Sequence, residues 1–132
     1  MSAQPEFQAR SLSVSLTVND LRTSVAWYRD VVGFAVHQEY ERGGTLRAVA
    51  LNAGAVRILL GQDDGAKGAD RVKGKGEGCS LQFTTTQNVD DIAERIKARG
   101  GTLASEPADV WGARAFRVQD PDGFTLTISS ER

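Results

Sequence analysis

The side chains in this 132-residue chain that could hold a small molecule fall into one alternating set. Ser13, Ser15 and Thr17 interleave with Val14, Leu16 and Val18. Ser80, Gln82 and Thr84 interleave with Leu81 and Phe83, and Thr125, Thr127 and Ser129 with Leu126 and Ile128. A period of two sends successive side chains to opposite faces of a strand. These hydroxyls and amides, with Arg57 and Leu59, are therefore expected on faces turned away from the apolar core. Such a face is either a solvated outer side of a sheet or the polar wall of a concave cleft.

Other chemical signals are isolated. The one histidine, His37, lies on an expected second strand with no partner in the sequence, and reads as a surface or half-buried strand residue. The one cysteine, Cys79, cannot form an internal disulfide and reads as a structural thiol in a reducing compartment. Gly74-Lys75 does not make a phosphate loop: Gly76 follows where Ser or Thr should bind the metal, and Ala69 stands where the first glycine belongs.

The elements that must position the alternating set come in two copies. In the first, the strand of Val14, Leu16 and Val18 leads to Asn19 or Asp20, either of which can cap a helix. Leu21, Val25, Tyr28 and Val32 then recur at helical spacing, and Gly33 ends the helix. Moving 67 positions on, Ser13 meets Ser80, Leu16 meets Phe83, Val25 meets Ile92, Ala26 meets Ala93 and Gly33 meets Gly100. The helix of the second copy is capped by Asn88 and buries Val89, Ile92, Ala93 and Ile96.

Three strands follow each helix. In the first copy they run from Phe34 to Glu41, Thr45 to Leu51 and Val56 to Leu60, with turns at Arg42-Gly43-Gly44 and Asn52-Ala53-Gly54. In the second, a short strand over Thr102 to Ser105 gives way to a loop at Pro107 that leads to Val110-Trp111-Gly112. A hairpin of Ala113 to Gln119 and Phe124 to Ser129 follows, turning at Asp120-Pro121-Asp122-Gly123, where Pro presets φ and Asp bonds its own backbone. The order strand, helix, three strands therefore occurs twice. The expected organisation is an N-terminal arm over 1–10, a first unit over 11–61, a Gly- and charge-rich linker over 62–78 beside the cleft mouth, and a second unit over 79–132.

Composition excludes several classes of function. Sixteen basic against seventeen acidic residues give a formal charge of −1, and no basic run is interleaved with aromatics, so nucleic acid is not an expected partner. No apolar run approaches the ~18 residues of a membrane span, and MSAQPEFQAR lacks a signal-peptide core, so the expected location is the cytoplasm.

The duplicated order, the segment VNDLRTSVAWYRDVVGF and the hairpin FRVQDPDGFTLTI resemble the vicinal oxygen chelate superfamily of glyoxalase I, extradiol dioxygenases, fosfomycin-resistance enzymes and bleomycin-binding proteins. The resemblance implies an α+β fold in which two βαβββ modules form a curved, mixed half-barrel sheet around a cleft, with the helices outside and a dimer completing it. Catalytic members hold a divalent metal with His or Gln on the first strand, Glu on the fourth, His on the fifth and Glu on the eighth. The matching positions here carry Ser13, Leu59, Ser80 and Thr127. Leu59 has no donor atom, and neutral hydroxyls are poor ligands beside imidazole and carboxylate.

No metal and no other cofactor is therefore expected. The resemblance then points to the metal-free drug-binding branch, with a small organic ligand sequestered between two subunits. Ser13, Leu59, Ser80, Gln82 and Thr127 would line that cleft. Trp111 is either an aromatic platform in it or a ring packed under its own loop. The alternative is a glyoxalase-like lyase, isomerase or dioxygenase that has recruited other groups, such as His37, Glu39 or Glu77. Metal-free acid–base catalysis is disfavoured, because parity puts no Asp, Glu or His on the cleft face of the strands bearing the old ligand positions.

Overall fold

The computed structural model describes residues 5–65, 76 and 78–131. The first unit consists of β1 (Val14–Val18), α1 (Leu21–Ala26) continued by a π-helical turn over Trp27–Val32, β2 (Ala35–Arg42), β3 (Thr45–Ala53) and β4 (Val56–Gln62). The second consists of β5 (Ser80–Thr85), α2 (Val89–Ala98), β6 (Leu103–Val110), β7 (Ala113–Gln119) and β8 (Thr125–Ser130). Each builds a four-stranded mixed sheet, ordered β1-β4-β3-β2 and β5-β8-β7-β6, with the first and last strands parallel. The two sheets do not close into a barrel.

Both helices begin as the sequence indicates. The Asp20 side chain accepts from the Thr23 N–H at 3.1 Å and the Asn88 side chain from the Asp91 N–H at 2.9 Å. Gly33, at φ 107, and Gly100, at φ 89, take the left-handed conformation that ends them. The first helix holds one more residue between cap and glycine than the second, and the π turn absorbs it. The extra residue rotates the last turn so that Gly33 N–H and Phe34 N–H both reach the Tyr28 carbonyl, at 3.0 and 2.9 Å.

Strand parity sorts the faces as expected. Leu16, Val18, Ile58, Leu60, Leu81, Leu126 and Ile128 are buried, and all belong to one core cluster with α2 residues Val89, Ile92, Ala93 and Ile96. Since both units feed the same core, their open faces lie on the outside of it. Tyr28, fully buried, stacks edge-on with Trp27 at 4.9 Å and with Phe34 at 5.4 Å, and Phe34 in turn with Phe83 of the second unit at 5.9 Å.

Two local readings are corrected. The second hairpin of the first unit turns on Gly54-Ala55, with Gly54 at φ 58, so β3 runs through Asn52 and Ala53. β6 is not cut off before Pro107 but continues to Val110. It is an edge strand, and its register with β7 shifts between Ser105 and Ala108, so the missing proline N–H falls in an irregularity and costs no ladder bond. The expected linker lies largely outside the described residues, as do Gly74-Lys75 and Glu77.

Candidate ligand site

The open faces take their chemistry from the strand registers. On the second sheet Ser80, Thr125 and Gln119 are successive cross-strand partners, and so are Gln82, Thr127 and Arg117. Phe116 and Val118, either side of Arg117, are buried, so Arg117 stands on the open face. On the first sheet Ser15, Leu59, Ala50 and Gln38 form one such row, and Thr17, Gly61, Ala48 and Tyr40 the next. The first wall thus has small and apolar groups, Leu59, Ala50, Gly61 and Ala48, at its centre with Ser15, Thr17, Gln38 and Tyr40 on either side, and the second is built of hydroxyls, amides and one guanidinium.

A cavity of about 500 Å³ opens beside the second wall, lined by Cys79, Ser80, Arg117, Gln119, Asp122, Thr125 and the glycines 76, 78 and 123. Its carboxylate, Asp122, is engaged with the first unit: it accepts from the Asn19 N–H at 3.3 Å and from the Ser24 hydroxyl at 3.4 Å. A second cavity of about 910 Å³ lies between the units, with Phe34, Phe83, Ile92, Leu126 and Ile128 on its floor and Arg29, Arg95 and Arg99 around it.

Of the six residues expected to contact a ligand, Ser80 lines the first cavity, while neither cavity includes Ser13, Leu59, Gln82, Trp111 or Thr127. Ser13 is exposed just before β1, and Leu59 is half-buried on β4. Gln82 is exposed and Thr127 half-buried, side by side in register. Trp111 is 86% exposed in the β6–β7 turn, so it is not packed beneath its own loop. It is also the one described non-glycine residue with positive φ, 48°, a conformation that costs an L residue roughly 1–2 kcal/mol. Trp111 and Ser80 are far apart: Gln119, in the Ser80 row, lies at the other end of β7, about 25 Å along the strand at ~3.3 Å per residue. Within one chain, then, the expected residues are spread over two faces.

The sequence marks Arg57, Arg114 and Arg117 as arginines that could meet an anionic ligand, below their reading as solvated strand residues, but it does not single out Gln119 as a neighbour of Ser80, nor Arg117 as the open-face partner of Thr127. Parity along β7 carried both, once β7 is set in register against β8.

The family's metal positions do not fit a metal here. Ser13, Leu59, Ser80 and Thr127 offer three neutral hydroxyls and an alkyl group. Among the described residues no group of three His, Cys, Asp or Glu side chains is placed to hold an ion. His37 and Glu39 are exposed on β2, and Glu39 is the register partner of buried Val49, on the side away from the open face.

The fold agrees with the comparisons. The sequence profile of the Glyoxalase/Bleomycin resistance protein/Dioxygenase superfamily matches residues 10–128, and the chain belongs to that superfamily. It is 30% identical over 122 residues to virulence protein STM3117 of Salmonella typhimurium, covering 86% of this chain and 78% of that protein. The crystal structure of STM3117 superposes with a TM-score of 0.71 at 25% identity, covering 96% of this chain and 99% of the other. TnmS3, an antibiotic-binding protein from Streptomyces sp. CB03234, shares the fold at a TM-score of 0.73 and 18% identity, covering 96% of this chain and all of its own.

Proposed function

We propose that this chain is a metal-free binding protein that holds a small organic molecule between the open face of the first sheet in one copy and that of the second sheet in another. The observation that carries this is the donor set: an intact superfamily scaffold has Ser13, Leu59, Ser80 and Thr127 where its catalysts place imidazoles and carboxylates. Lewis-acid chemistry needs those donors, whereas binding needs only shape, apolar area and a handful of polar groups. A homodimer supplies the second wall, because both sheets of one chain turn their inner faces to a shared core. TnmS3 offers a precedent for ligand binding on this fold. With an unpaired cysteine and, among the described residues, no helix long and apolar enough to cross a membrane, the cytoplasm is the compartment we assign.

The test uses a neutral fluorescent probe, N-phenyl-1-naphthylamine. Sedimentation at twice the chain mass, with saturable probe binding that EDTA leaves unchanged, is the expected result. A monomer, a probe that does not bind, or stoichiometric transition metal in the purified protein overturns the proposal.

A further inference from the structure

Four of the eight strands are nearly without charge. β1, β4, β5 and β8 contain no Asp, Glu, His or Lys, and their one ionisable side chain is Arg57. β7 adds Arg117 in the middle of the second wall. The other β7 arginine, Arg114, is neutralised away from this face, donating to Asp90 at 2.9 Å and to Asp109 at 3.2 Å. Arg57 is occupied by the side chain of Asn52, at 2.9 Å. Arg117 differs from both: among the described residues its guanidinium makes no ion pair, and the one carboxylate in the cavity it faces, Asp122, accepts from the Asn19 N–H and the Ser24 hydroxyl; beside Arg117 stand the hydroxyls of Ser80 and Thr125 and the amide of Gln119. These groups can all donate hydrogen bonds, and a guanidinium presents a planar fork that matches an oxyanion in two bonds at once. On the first wall the rows through Leu59 and Ala50 and through Gly61 and Ala48 carry no charged side chain, and at their centre offer small apolar groups.

From this division of labour we infer that the ligand is an amphipathic acid: an apolar or aromatic body against the Leu59 wall, and a carboxylate, sulfonate or phosphate held by Arg117. The inference rests on the binding function proposed above and specifies its ligand class. The large inter-unit cavity is the competing location, because Arg95 and Arg99 border it.

Two probes that differ by a single group separate these possibilities. 1-Anilinonaphthalene-8-sulfonate is N-phenyl-1-naphthylamine with a sulfonate added. The full-length protein is expected to bind the sulfonate about tenfold more tightly than the neutral amine, the worth of one charge-assisted hydrogen bond. Arg117→Ala is expected to abolish that preference. Arg117→Lys should keep most of it, and Arg99→Ala all of it, with melting curves confirming that each variant is folded. Equal binding of both probes, unaltered by Arg117→Ala, overturns the acidic-ligand inference and leaves the binding function standing. A preference lost in Arg99→Ala and kept in Arg117→Ala overturns the assignment to Arg117. If neither probe binds, the binding function falls together with the inference.

Discussion

The Tyr28 hydroxyl donates to Asp120 Oδ2 at 2.7 Å, joining the first helix to the last hairpin across 92 positions of sequence. Both groups are buried, at 0% and 5% exposure. The other carboxylate oxygen, Oδ1, accepts from the N–H groups of Asp122 and Phe124, each at 2.9 Å. One aspartate therefore closes its own turn and fastens the two units together. Burial, reinforced by the Asp120 charge, pushes the Tyr28 phenol far up, so it stays a donor at any ordinary pH. Burial also raises the Asp120 carboxyl, against the lowering effect of its three donors.

Removing the phenol hydroxyl by Tyr28→Phe leaves a buried carboxylate oxygen short of a donor and is expected to cost about 1–3 kcal/mol in urea unfolding. The pH dependence has a definite sign. Asp120 holds its proton to a higher pH in the folded chain than in the unfolded one, so its favourable contribution is complete below the ordinary carboxylate pKa of about 4. It is lost as pH rises through the raised folded pKa, and is constant beyond it. The stability of the wild type relative to Asp120→Asn is thus expected to fall from below about pH 4 upward and then level. Tyr28→Phe should extend that fall to higher pH by removing one of the lowering hydrogen bonds. A wild-type advantage that grows with pH contradicts a burial-raised Asp120.

Gly101, just past the end of α2, lies against the first unit's helical segment at Val31. A Cβ there would lie 2.5 Å from Ile96 Cγ2 and 2.8 Å from Val31 Cγ1, on opposite units. Gly101→Ala is expected to destabilise the fold by about 1–3 kcal/mol, as overpacking does. Adding Val31→Ala should recover part of that loss in a double-mutant cycle, since the clash is shared between the two positions. Strict additivity of the two changes would show that the units do not meet there.

If the four former ligand positions converge between two copies, restoring their donors should restore an ion site. Placing His at positions 13 and 80 and Glu at 59 and 127 is expected to give a protein that Ni²⁺ stabilises. At 100 times the dissociation constant the gain is about 2.7 kcal/mol, read as a raised melting temperature. The wild type should show no such shift. A folded, dimeric quadruple variant that ignores Ni²⁺ means the four positions do not share a hollow.

Much of this molecule was legible because its signals are local. Asp20 and Asn88 cap helices through bonds within three residues, and Asp120 closes a turn of its own neighbours, so no distant contact was needed to foresee them. Parity assigned Leu16, Ile58, Leu81 and Leu126 to the core because a strand fixes its faces by itself. Pro107 misled for the opposite reason: whether proline ends a strand depends on whether that strand is an edge with an irregular register, and its partner decides this.

The sequence by itself determined the repeated unit, the two-faced sheets and the absence of metal-donor side chains at the family positions, since each follows from residue type and spacing along the chain. Only the tertiary structure decided that Tyr28 meets Asp120, that Gly101 lies against Val31, and that Arg117 stands in one row with Thr127 and Gln82. It alone placed Trp111 at the far end of the second sheet from Ser80. The physical reason is that caps, turns and strand parity are fixed by bonds among near neighbours, whereas these contacts arise only when two separately formed units bury their apolar faces in one core.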